Sequence, residues 1–172
     1  MNIRLIRPAG IHKQQALAFR QAFFDAGETV IHGSELLDRT DYYESWLLNV
    51  TANTAPETVS PDWVTTDTFF AFDNSGALVG IIDLRHTLNR FLQDFGHCGY
   101  SVRPDARRRG YATEMLRQIC GRAKAAGMPS LQISVMRDNL PSVRTIRKNG
   151  GEYLRSFIHA GKPADIYGIR LG

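Results

Sequence analysis

Gly99-Tyr100-Ser101-Val102-Arg103-Pro104-Asp105-Ala106-Arg107-Arg108-Arg109-Gly110-Tyr111-Ala112-Thr113 reads as a strand, a proline turn, an arginine-rich loop and a glycine that opens a helix. That order gathers backbone N–H groups and the positive end of a helix dipole at one point, with cationic side chains around it. Such a point suits a pyrophosphate, so the segment predicts a phosphorylated cofactor. The helix beyond Gly110 has the clearest periodicity in the chain. Ala112, Met115, Leu116, Ile119, Cys120 and Ala123 share one face, while Glu114, Arg117, Arg122 and Lys124 point elsewhere.

Outward from that segment, the chain alternates strands and helices. A strand over residues 2–7 is closed by Pro8, and a helix is expected between about His12 and Ala26 on Ala16, Phe19 and Phe23. A second helix begins near Asp41, where Asp41-x-x-Glu44 fits a capping box. Residues 52–66 read as a long loop with a functional role. Thr68 to Phe72 and Leu78 to Leu84 then form a hairpin around Asp73-Asn74-Ser75-Gly76. Residues 86–96 are a second irregular connection, and strand four is placed at His97 to Val102. After the long helix, Leu131, Ile133 and Val135 alternate in a fifth strand. A short helix near Pro141 ends at Asn149-Gly150-Gly151, and two strands close the chain. No linker or repeat interrupts this order, so residues 1–172 read as a single α/β domain.

Composition narrows the function classes. The 43% hydrophobic and 22% charged fractions are those of a globular protein. No run of about 18 apolar residues exists, so no membrane span is expected. The N-terminus lacks the apolar core of a signal peptide, and Cys98 and Cys120 make no disulfide framework; both point to a cytoplasmic protein. The net charge of +4 hides an asymmetry. Residues 103–148 hold 11 Lys/Arg against Asp105, Glu114 and Asp138, while the remainder holds 10 basic and 14 acidic residues. A nucleic-acid surface is one source of such a segment. The acidic remainder, and Tyr111 as the one aromatic residue among those arginines, argue against it.

Arg107-x-x-Gly110-x-Ala112 resembles the Q/R-x-x-G-x-G/A signature of the GNAT superfamily, the acetyl-CoA-dependent N-acyltransferases. Gly99 to Pro104 is similar to that family's fourth strand. Asn139-x-x-Ser142-x-x-x-Ile146-x-x-x-Gly150 resembles its helix after strand five. The resemblance implies one mixed, strongly twisted sheet of about seven strands with helices on both faces. It implies an N-acetyltransferase that moves an acetyl group from acetyl-CoA to a primary amine of a small molecule or protein. Backbone amides from Arg107, Arg108, Arg109, Gly110, Tyr111, Ala112 and Thr113 would receive the pyrophosphate. Main-chain groups of Tyr100 and Val102 would pair with the pantetheine arm where strand four splays from strand five around a bulge. Asn139 and Ser142 would reach the pantetheine or the coenzyme phosphates. Homodimers are common among proteins of this family, which makes a second copy a candidate partner.

Direct attack of an amine on a thioester needs a base for the ammonium proton and an acid for the leaving thiolate. The family often places a tyrosine acid where this chain has Ile146, so Tyr153 and Tyr100 are the substitutes to test. At the start of strand four, where the family often has a carboxylate, the chain offers His97 and Cys98. Asp83 and Asp94 are further candidates. The missing tyrosine keeps open a non-catalytic module that binds the coenzyme. His12, His32, His86 and His159 form no ligand set, so no metal is expected.

Overall fold

Seven strands and four helices appear in the expected order in the computed structural model, which describes residues 2–172. They are β1 (Arg4–Ile6), α1 (Lys13–Asp25), α2 (Tyr43–Ala52), β2 (Thr66–Phe72) and β3 (Leu78–Arg85), then β4 (Tyr100–Val102), α3 (Tyr111–Ala125), β5 (Ser130–Met136), α4 (Leu140–Lys148), β6 (Glu152–His159) and β7 (Lys162–Arg170). Helices cover both faces of the first four strands. The aromatic stripe of α1 and α2 (Phe19, Phe23, Trp46) packs with Phe70 and Ile81 on one face. Met115, Leu116 and Ile119 of α3 meet Phe69, Ile82 and Leu84 on the other. The capping box does not form. Tyr42 is the N-cap of α2 without a side-chain bond, and Glu44 pairs with Lys13 instead.

The strands divide into two antiparallel sheets, β1-β2-β3-β4 and β5-β7-β6, where the sequence suggested one mixed sheet. Only a narrow seam joins them. Gly96 bridges Ile133, and His97 N–H donates to the Gln132 carbonyl at 2.7 Å. Beyond that seam β4 and β5 part. No register shift accompanies the parting, so the expected bulge is absent: Ile82, Ile81 and Gly80 face Tyr100, Ser101 and Val102 in unbroken order. The cause lies one step earlier. Gly99 N–H donates to the Asp83 Oδ1 side-chain atom at 2.5 Å, and His97 N–H turns to β5. Two N–H groups that would have closed the β3 ladder are thereby withdrawn from it.

Candidate active site

The parting of β4 from β5 opens a cleft of about 910 Å³, bounded by β4, the loop before α3, the first turn of α3, and α4. Its geometry follows from alternation along β4. The bonds Arg103 N–H to Val79, Asp83 N–H to Gly99 and Arg85 N–H to His97 extend the ladder on either side of β4, and all use odd-numbered residues of that segment. The main-chain groups of Tyr100 and Val102 therefore face away from β3, toward the open side. One of them is occupied: the Val102 carbonyl accepts a bond from Arg107 Nε at 3.1 Å.

The loop before α3 is shaped to present amides. Arg108 and Gly110 take left-handed conformations (φ 62° and 83°), and Gly110 is the N-cap of α3. Glycine tolerates that conformation without the steric cost a side chain brings. The first bond into the helix runs from Glu114 N–H to Gly110. Among the described residues, the N–H groups of Arg108 through Thr113 have no partner in the protein, which leaves six consecutive donors beside the dipole's positive end.

Most residues expected to hold the cofactor meet in this cleft. Tyr100, Val102, Arg107, Arg108, Gly110, Tyr111, Ala112, Thr113, Asn139 and Ser142 all line it. Arg109 does not; it reaches back to the Asp105 carbonyl at 3.3 Å. Arg107 is bound on both sides, its guanidinium gripping Glu28 at 2.6 and 2.8 Å, and this pairing holds the Glu28 carboxyl below its ordinary range. Asn139 caps α4 through its Oδ1, which accepts Ser142 N–H at 3.3 Å. Tyr100 Oη lies 2.7 Å from Ser142 Oγ, and burial raises the phenol above its usual range. Arg144 and Lys148 also line the cleft, one helical turn apart on α4, with no acidic partner among the described residues. Sequence reasoning missed both, although their i, i+4 spacing was the available signal.

Of the residues proposed for proton transfer, Tyr100 lines the cleft, whereas His97, Cys98, Tyr153, Asp83 and Asp94 lie outside its lining. His97 Nδ1 accepts Gln132 N–H at 2.9 Å, and burial, then the nearby Arg85, lower its proton affinity. Tyr153 is 56% exposed on β6, with its hydroxyl against Ser156 at 2.8 Å. Ile146, at the position where the family often has tyrosine, is fully buried in the core. Cys98 is buried, and that burial keeps its thiol protonated. Asp94 pairs with Arg155 at the surface.

A second group of polar side chains lies on the α1/α2 face, behind β4. Asp83 has no exposed surface, and Arg85 Nη2 approaches its Oδ2 at 2.8 Å. Glu35, from the segment between α1 and α2, comes within hydrogen-bonding reach of Asp83, and Trp63 lies beside it. Burial, then the Asp83 charge, push the Glu35 carboxyl up to about 8. Nothing in the local sequence signals Glu35, because a long-range crossing over β4 assembles this group.

Comparison with known proteins agrees with the fold. Residues 7–152 match the family model described as the acetyltransferase (GNAT) domain. The chain belongs to the GNAT acetyltransferases. It is thus an acyltransferase, and it has wide structural company at low identity. A GNAT-family acetyltransferase from Streptococcus pneumoniae superposes with a TM-score of 0.70 at 17% identity, over 99% of this chain and 100% of that one. The microcin C7 self-immunity acetyltransferase MccE, solved with acetyl-CoA and AMP, gives 0.72 at 14% identity, over 98% of this chain and 92% of its own. YncA from Salmonella typhimurium, solved with its cofactor acetyl-CoA, gives 0.65 at 14%, covering 99% and 94%. No curated protein sequence matches the chain. No helix among the described residues is long and apolar enough to cross a membrane, and no cluster of potential metal ligands occurs among them.

Proposed function

We propose that this protein transfers the acetyl group of acetyl-CoA to a primary amine, of a small molecule or of a protein, by direct attack of the amine nitrogen on the thioester carbonyl. The observation that carries the reading is the row of six unpartnered amides, Arg108 to Thr113, at one end of a cleft between two parted strands. Acetyl-CoA is the acyl donor. Its pyrophosphate suits those amides and the α3 dipole, while Arg108, Arg144 and Lys148 supply cations for the remaining phosphate charge. The outward main chain of Tyr100 and Val102 gives the pantetheine amides a strand edge to pair with. Asn139 and the Tyr100–Ser142 pair fix the α4 side of the same arm.

This arrangement accelerates transfer mainly by holding the thioester at the fork between the sheets, where an amine can approach in line. With Ile146 in the core, no tyrosine of α4 donates to the leaving sulfur. Tyr100 lines the cleft, and burial keeps its hydroxyl protonated, so it can hydrogen-bond the leaving sulfur. Calorimetric titration with acetyl-CoA, with ATP as the phosphate control, tests the donor assignment. Saturable micromolar binding of acetyl-CoA and much weaker binding of ATP is the expected result. Equal binding of both reduces the cleft to a generic basic groove. Tyr100→Phe should lower kcat while leaving acetyl-CoA affinity within a few fold; an unchanged kcat removes Tyr100 from the contact with the leaving sulfur.

A further inference from the structure

The polar group behind β4 is built as a binding site. Asp83 is completely buried; its Oδ1 accepts Gly99 N–H, its Oδ2 pairs with Arg85 Nη2 at 2.8 Å, and the Glu35 carboxyl packs against it. Thr68, directly across the β2–β3 ladder from Asp83, is 2% exposed and its Oγ1 has no partner. Arg85 Nε is buried and unpartnered as well, and the buried Trp63 Nε1 lies beside Glu35. Buried polar groups are nearly always satisfied, so two such atoms beside two carboxyl groups in contact point to a polar guest.

The segment that carries Glu35 is also fixed, not mobile. Trp46 Nε1 donates to the Ser34 carbonyl at 2.8 Å, Arg20 to the Thr40 carbonyl at 2.7 Å, and Ser101 Oγ to the His32 carbonyl at 2.9 Å. Gly33 lies directly against Gly99, leaving no room for a Cβ. Glu35 and Leu36 are both left-handed (φ 50° and 68°), a conformation costly for side-chain-bearing residues and retained where surrounding structure enforces it. The carboxyl group is thereby brought to β4 on the face opposite α3, beside the residues where β4 leaves β5.

We infer that the Glu35–Asp83 carboxyl pair binds the ammonium of the acceptor amine and that Glu35 takes its proton, with Asp83 as the positioning residue. This rests on the acetyl-transfer reading above. The ammonium N–H bond breaks with its electron pair left on nitrogen, and the proton forms an O–H bond on a Glu35 oxygen. The neutral amine attacks the thioester carbon, the C–S bond breaks, and the thiolate takes a proton lost by the attacking nitrogen. Glu35 returns its proton to solvent. The acceptor class is a small primary ammonium: Arg85 already pairs with Asp83, so the Glu35 carboxylate is left for one further cation. The charged and titratable groups facing Glu35 are Asp83 and Arg85 from β3, with the Trp63 indole N–H beside it; His97 lies on the far side, near Arg85.

The test uses the full chain with carboxyl-carbon-labelled glutamate, followed by NMR as methylammonium chloride is added, alongside acetyl-CoA calorimetry. A saturable methylammonium-dependent shift of the Glu35 carboxyl, absent in Glu35→Gln, is expected; no shift overturns the inference whether or not acetyl-CoA binds. Failure of acetyl-CoA to bind strikes the donor reading alone. In acetyl transfer to a panel of primary amines, Glu35→Gln should lose about 100-fold or more in kcat/KM, with acetyl-CoA affinity unchanged and the alkaline rise of the pH profile abolished. Glu35→Asp should restore part of the rate. An unaltered rate and profile in Glu35→Gln assigns the pair a structural role and overturns the proposal.

Discussion

At the scale of single residues, Glu35 sets activity against stability. Its carboxyl is pushed up to about 8 in the folded protein, above its value in an unfolded chain. Between the ordinary carboxylate range and about pH 8, the native state therefore holds a proton that the unfolded state has released. Stability falls as pH rises through that window, and the contribution present in acid is gone above it. Glutamine cannot ionise, so Glu35→Gln should match the wild type in acid and melt a few degrees higher above about pH 8, as followed by thermal unfolding. A variant that is less active yet more stable in alkali is the signature of a strained functional residue. Coincident melting curves at every pH would show that Glu35 is not shifted at all. Gly110 makes the complementary case. Its φ of 83° predicts that Gly110→Ala costs about 1–2 kcal/mol of stability and weakens acetyl-CoA binding, because the loop can present its amides only in that conformation.

At the scale of elements, the local patterns were legible and the long-range ones were not. The strand–loop–helix segment from Gly99 to Thr113 carries its periodicity, its proline and its glycine within fifteen consecutive residues, and ten of the cofactor-site residues named from the sequence do line one cleft. Arg107 shows where such reading stops. The sequence places an arginine at the loop, but only the fold brings Glu28 to it from beyond α1. The capping box failed for the same reason, since Lys13 on α1 takes Glu44 away from the α2 terminus. The polar group behind β4 draws Glu35, Trp63, Asp83 and Arg85 from three separate segments, a set that no spacing rule can assemble. The joint between the Glu35 segment and the start of β4 is the contact of Gly33 with Gly99. A Cβ at Gly33 would collide with the Gly99 carbonyl, and φ is 74° there. Gly33→Ala should therefore cost about 2 kcal/mol or more and lower the melting temperature by about 4–8 °C. It should also reduce acetyl transfer beyond what the lost stability explains, because Glu35 moves with the segment. Wild-type kinetics in a folded Gly33→Ala would separate the crossing from catalysis.

At the scale of the molecule, the cleft is the seam between two sheets that meet, among the described residues, at an isolated bridge and the few bonds beside it. A donor lying in that seam touches β4 and the α3 terminus on one side and α4 on the other, so binding should couple the halves. For a ligand that binds only the native state, a concentration about 100 times Kd adds about 2.7 kcal/mol. At this chain length that is a rise of about 5–10 °C in melting temperature. Amide exchange should slow most in the first turn of α3, where the six N–H groups otherwise have no acceptor in the protein. The charge asymmetry of the chain adds a second expectation. Because Arg108, Arg144 and Lys148 line the cleft without acidic partners among the described residues, part of the stabilisation is electrostatic and should shrink as salt shortens the Debye length. Replacing Arg144 and Lys148 together with alanine should reduce both the acetyl-CoA-dependent rise and its salt sensitivity, while leaving the unliganded melting temperature nearly unchanged. A double variant that keeps the full salt-sensitive rise would move the phosphate contacts off α4 and onto the α3 loop alone.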